Sequence, residues 1–116
     1  MGRDLSFWKT SKKDKLDNSY VYSVLSSGEL LDYIDELPID EIQKDINEVF
    51  KDWENYGKDY YEKSNESFQL MLSNQFVRVD CSGMTEMNMN KIIDILLKYN
   101  CPLYDSAINI RFDITQ

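Results

Sequence analysis

The chain has 116 residues, 42% of them hydrophobic and 13% aromatic, a composition that supports one folded core and excludes a disordered chain or a string of domains. Its net charge is −8, from 21 acidic and 13 basic side chains, so its surface repels phosphate backbones; direct nucleic-acid binding is disfavoured and basic partners are favoured. Histidine is absent, which removes the usual general base near neutral pH, the commonest metal ligand and the orienting member of nucleophilic triads.

In chain order, Leu5-Ser6-Phe7-Trp8-Lys9 alternates large apolar residues and predicts a first strand. Met1-Gly2-Arg3-Asp4-Leu5-Ser6 also fits the short N-myristoylation pattern, but the strand reading of Leu5 and Phe7 takes precedence. The basic run over residues 9–15 is short, is interrupted by Asp14, and reads as a solvated loop. Tyr20-Val21-Tyr22-Ser23-Val24-Leu25 has the β-branched and aromatic bias of a strand, or, bounded by polar runs on both sides, of an extended edge segment. Ser27 and Glu29 read as a helix start, with Leu30, Leu31, Ile34 and Leu37 following at helical spacing. After Pro38, the residues Ile39, Ile42, Ile46, Val49, Phe50 and Trp53 form one apolar stripe and predict a long helix.

Residues 54–67 are polar and aromatic without a period and read as a loop. Residues 68–72 and 76–81 predict an antiparallel hairpin turning at Ser73-Asn74-Gln75. Thr85 can cap a helix whose apolar face is Met89, Ile92, Ile93 and Leu96, ended by Asn100 and Pro102. In the closing segment Ile108, Ile110, Phe112 and Ile114 alternate with polar residues, the pattern of a half-buried strand. The order β-α-β-β-α-β is that of a ferredoxin-like split βαβ unit. The expected fold is therefore one α+β domain over residues 1–116, with an inserted segment after the first strand and helices on one face of a four-stranded sheet.

Little in the text suggests chemistry. Cys81 and Cys101 form no C-x-x-C pair and read as reduced, structural thiols. None of the four glycines belongs to a phosphate-cradling loop. The carboxylate pairs Asp35 with Glu36 and Asp40 with Glu41 lack the spacing of a calcium loop and read as solvated or capping residues. No enzyme, cofactor or metal site is expected. No apolar stretch reaches membrane-spanning length and no secretory segment is apparent, so a cytoplasmic location is expected.

The charge distribution says more. Between Glu29 and Glu66 stand thirteen acids against four lysines, a balance of −9, while the remaining residues sum to +1. On the long helix Glu41, Asp45, Glu48 and Asp52 stand off the apolar stripe and predict an exposed acidic ridge, whose like-charge neighbours cost about a few tenths of a kcal/mol per pair. Tyr56, Tyr60 and Tyr61 follow closely and are of a residue type enriched in interface hot spots. An alternative surface is the sheet: Arg78, Asp80, Arg111 and Asp113 alternate outward, and Trp8 could share their face as a ligand platform.

Three stretches, Phe76-Val77-Arg78-Val79-Asp80-Cys81-Ser82-Gly83-Met84, Cys101-Pro102-Leu103-Tyr104-Asp105 and Arg111-Phe112-Asp113, resemble small bacterial immunity proteins, the partners of secreted toxins. That resemblance covers mainly the C-terminal part of the chain and implies a cytoplasmic inhibitor that plugs one cognate toxin; it transfers no binding residue. The sequence thus points to an acidic module for a basic protein, with a small-ligand domain at the Trp8, Arg78 and Arg111 face as the alternative.

Overall fold

In a computed structural model, residues 2–10 and 17–112 are described. Lys12, Lys13 and Lys15 of the basic run, and Asp113 and Ile114 of the closing segment, lie outside them. The described residues form a mixed α+β structure of three helices and seven strands in one antiparallel sheet. None of the helices is long and apolar enough to cross a membrane.

Alternation along the strands creates two cores, one on each side of that sheet. Strand β1 (Gly2–Phe7) sends Leu5 and Phe7 to one side and Ser6 to the other, with Trp8 following on the second side. Strands β4 (Glu66–Ser73) and β5 (Phe76–Ser82) form the expected hairpin, in which Phe68, Leu70, Val77, Val79 and Cys81 join the first core. The turn is tighter than expected, because Ser73 pairs with Phe76 and only Asn74 and Gln75 remain in it.

Helices α2 (Ile39–Val49) and α3 (Glu86–Lys98) cover the first side. Ile42, Ile46 and Phe50 recur at four-residue steps and are buried, as the stripe requires. The helix nevertheless stops at Val49, which is exposed, and Trp53 lies in the turn beyond. Helix α3 begins at the Thr85 cap, whose hydroxyl accepts from the Asn88 N–H at 3.2 Å. It ends in a Schellman motif: Asn100 takes a left-handed φ of 60°, the Cys101 N–H reaches the Leu96 carbonyl at 3.0 Å, and the Asn100 N–H reaches that of Leu97 at 2.9 Å.

The second side corrects two expectations. Residues 20–25 are not a strand but part of helix α1 (Asn18–Ser26), capped by the Asp17 carboxylate, which accepts from the Ser19 and Tyr20 N–H groups. Val21 and Leu25, four apart, bury against Trp8, Phe76 and Tyr104, so helices cover both faces rather than one. Residues 27–37 do not continue as a helix. Three of their backbone groups bond to Gln75, whose amide accepts from the Leu31 N–H at 2.9 Å and donates to the Leu31 and Ile34 carbonyls at 2.8 and 3.0 Å, while the Asp35 N–H reaches the Lys9 carbonyl at 2.8 Å.

Strands missed by periodicity extend the sheet at each edge. Residues read as a loop form β2 (Glu54–Tyr56) and β3 (Tyr60–Lys63); at the other edge β6 (Leu103–Asp105), for which no strand is expected, is followed by β7 (Ile110–Arg111) in the closing segment. The order is β2-β3-β4-β5-β1-β6-β7. Of the half-buried strand expected near the end, only Ile110 and Arg111 pair, as β7, and Ile108, Ile110 and Phe112 are exposed rather than inward-facing.

Candidate functional site

The register places four rows of side chains across the second face, the innermost being Ser73 with Phe76. Met71, Arg78, Ser6, Tyr104 and Arg111 form the row beside α1. The next runs Tyr56, Tyr60, Gln69, Asp80, Asp4, and the outermost runs Glu54, Glu62, Ser67, Ser82, Gly2. Tyr61 and Asn55 point the other way: Tyr61 stacks on Phe68 in the first core at 4.6 Å, and Asn55 donates to Asn47 of α2. Every residue of the two outer rows is at least partly exposed.

The expected acidic ridge is dispersed. Glu41 and Glu48 stand exposed on α2, but Asp45 is half-buried in a clasp to α3, 2.7 Å from the Lys98 ammonium and accepting from the Tyr99 hydroxyl. Those two hydrogen bonds hold the Asp45 carboxyl below its usual range, and the same contact pushes the Tyr99 hydroxyl up to about 12. Glu48 lies 3.7 Å from Lys51, an exposed pair of small energetic weight. Asp52 is exposed in the turn after the helix, off the predicted ridge.

Of the three tyrosines, Tyr61 is buried, donates to Asn47 and is excluded as a contact residue. Tyr56 and Tyr60 sit side by side across the β2–β3 pairing, ring centroids 5.9 Å apart, on the face turned away from α2. They adjoin Glu54 and Glu62, which are themselves directly opposite one another. Like charges at such positions destabilise a sheet. Among the described residues no lysine or arginine forms a salt bridge with either glutamate; the Tyr56 hydroxyl donates to Glu54 at 2.7 Å, and that bond raises the tyrosine's pKa.

The alternative ligand platform does not form. Trp8 is fully buried, packed on Tyr104 at 5.0 Å and Phe76 at 6.4 Å. The Arg111 guanidinium lies over its ring at 5.2 Å and donates to the Trp8 carbonyl at 2.6 Å, sealing the indole. Arg78 is clamped in two hydrogen bonds to Asp80 on its own strand, at 3.0 and 3.1 Å, rather than to a neighbouring strand. Beside it Asp4 accepts from the Tyr22 and Ser106 hydroxyls, which answers its own position opposite Asp80.

A cleft of about 630 Å³, which the sequence reading did not foresee, opens on the first side, where the ends of β1 and β5 meet the start of α3 and the loop after β6. Arg3, Cys81, Met84, Met89, Asp105 and Ile108 line it. Its polar floor is the 2.6 Å ion pair between Arg3 and Asp105, two residues 102 positions apart that only the finished sheet brings together. Gly83, on the rim, has φ +65°, and a Cβ there would stand 2.5 Å from the Asn65 carbonyl oxygen.

Both cysteines are buried, and desolvation pushes each thiol up to about 12. Among the described residues no three His, Cys, Asp or Glu side chains gather in a geometry able to hold a metal ion. The chain matches no protein-family model and no curated protein.

Proposed function

We propose that this chain is a protein-binding module of the inhibitor or immunity type, and that the open half of its second sheet face receives a basic surface of the partner. The observation that carries this reading is the juxtaposition of Tyr56 and Tyr60 with the opposed, unneutralised Glu54 and Glu62. An arginine or lysine of the partner laid across the two carboxylates would relieve their repulsion and meet a tyrosine ring, combining a charge-assisted hydrogen bond with a cation–π contact. Exposed Glu41, Glu48 and Asp52 add to the negative field that draws such a partner in.

A ferredoxin-like reading of the scaffold is supported by the inner strands β4-β5-β1-β6, all antiparallel, with α2 in the connection from β1 towards β4 and α3 in that from β5 to β6. In this reading α1 is the insertion; it covers the Phe76 and Tyr104 rows of the second face and reaches Asp4 through Tyr22, leaving the rest of the two outer rows for binding.

Surface kinetics with the cognate partner test the assignment. Tyr56→Ala and Tyr60→Ala should speed dissociation, each by about tenfold or more, as truncated interface anchors do. Glu41→Lys with Glu48→Lys should slow association at low salt and leave dissociation unchanged. Tyrosine variants that dissociate like the wild type would refute the assignment.

A further inference from the structure

The cleft on the first side, beside the start of α3, points to a second ligand. We infer that it binds an amphipathic carboxylate, with the anionic head on Arg3 and a short apolar tail along Met84, Met89 and Ile108. The volume of about 630 Å³ lies within the range of roughly 300–1,000 Å³ typical of small-molecule sites.

The polarity of the ligand follows from which partner of the ion pair is presented. The Arg3 side chain is 53% exposed and that of Asp105 only 4%. Asp105 is also occupied on both oxygens, one by Arg3 at 2.6 Å and the other by the Ala107 N–H at 3.0 Å. It serves as a fixed brace, and the group left facing the cleft is the cation. A guanidinium has five N–H donors in a rigid fork, and the brace takes one of them, so donors remain for a second carboxylate.

The walls select the rest of the molecule. Ile108 is 55% exposed, and Met84 and Met89 are only partly buried against the first core, so an apolar tail would remove from water surface that the fold leaves uncovered. Methionine side chains adapt to tails of different shape. A cationic ligand would meet Arg3 with no free carboxylate to answer it, and a neutral one would desolvate the guanidinium without a partner.

Arg3 and Cys81 face the first side, under α2 and α3, whereas Tyr56 and Tyr60 face the second, so failure here leaves the protein-binding reading intact. The test is an amide NMR titration of the full chain with octanoate, octylamine and acetate. Octanoate should give saturable shifts at Arg3, Gly83, Met89 and Ile108, while acetate, lacking the tail, and octylamine, with the wrong charge, should not. Arg3→Gln should abolish the shifts but leaves Asp105 buried without its ion-pair partner and can cost stability. Ile108→Asp, at an exposed position, keeps the fold and should weaken octanoate by about tenfold or more through charge repulsion at the mouth. The inference is overturned if octanoate gives no saturable shifts, if octylamine reproduces them, or if Ile108→Asp binds octanoate as the wild type does.

Discussion

Gln75 does with one side chain what a helix would otherwise do for the residues around Leu31 and Ile34. Its buried amide satisfies an N–H and two carbonyls of that segment, while the Leu37 N–H bonds to the neighbouring Asn74 carbonyl at 2.7 Å. Gln75→Ala would leave the Leu31 N–H and the Ile34 carbonyl without that partner, and each buried group so stranded costs about 1–3 kcal/mol. A urea midpoint unchanged from wild type would contradict this anchoring role. Gly83→Ala meets a different obstacle, a left-handed backbone together with a contact too close to the Asn65 carbonyl, and should cost about 1–3 kcal/mol. The thiols of Cys81 and Cys101, both buried and both pushed up to about 12, should resist alkylation in the native state and react only on unfolding. Modification of the folded protein, followed by mass, checks this directly.

Among the elements, the clasp between α2 and α3 sets an acid limit. Asp45 titrates below its usual value near 3.8 in the folded state, so its contribution is complete above that value and disappears as pH falls through the lower, folded one. Tyr99 works in the opposite direction. Its hydroxyl is raised from 10.0 to about 12, so the stability it lends is intact below about 10 and is lost as pH rises towards 12. Asp45→Asn should flatten both flanks of a stability profile measured by urea unfolding, and flanks as steep as wild type would argue against the clasp. The elements legible in the sequence were those whose period matched their burial: the 68–81 hairpin, the Ile42–Ile46–Phe50 stripe and the Thr85-capped helix. Residues 20–25 misled because β-branched and aromatic residues that favour strands also placed Val21 and Leu25 one helical turn apart, and packing against Trp8 decided the outcome. Strands β2 and β3, of three and four residues, are too short to show a period.

Across the whole molecule, composition located the negative charge correctly in residues 29–66 but could not say which way it faced. Tyr56, Tyr60 and Tyr61 look equivalent on the page, yet strand alternation sends Tyr61 into the core and the other two onto the open face. Asp45 looked like a member of an exposed series until α3 brought Lys98 and Tyr99 to it. Arg3 and Asp105 were invisible as a pair because their meeting depends on β1 lying between β5 and β6. If the Glu54 and Glu62 opposition is maintained for a partner, Glu62→Lys should raise the urea midpoint of the isolated protein while weakening its binding. A variant that gains neither stability nor a binding defect would remove the reason for singling out this pair.

The most direct test of the protein-binding account is capture from source-cell lysate on the immobilised wild type and on the Glu54→Lys, Glu62→Lys double variant, at low and high salt, with retained proteins identified by mass. The account expects one dominant basic protein on the wild type, held less strongly at high salt and lost from the double variant. Retention of the same protein on both, or of none on the wild type at either salt, would contradict it.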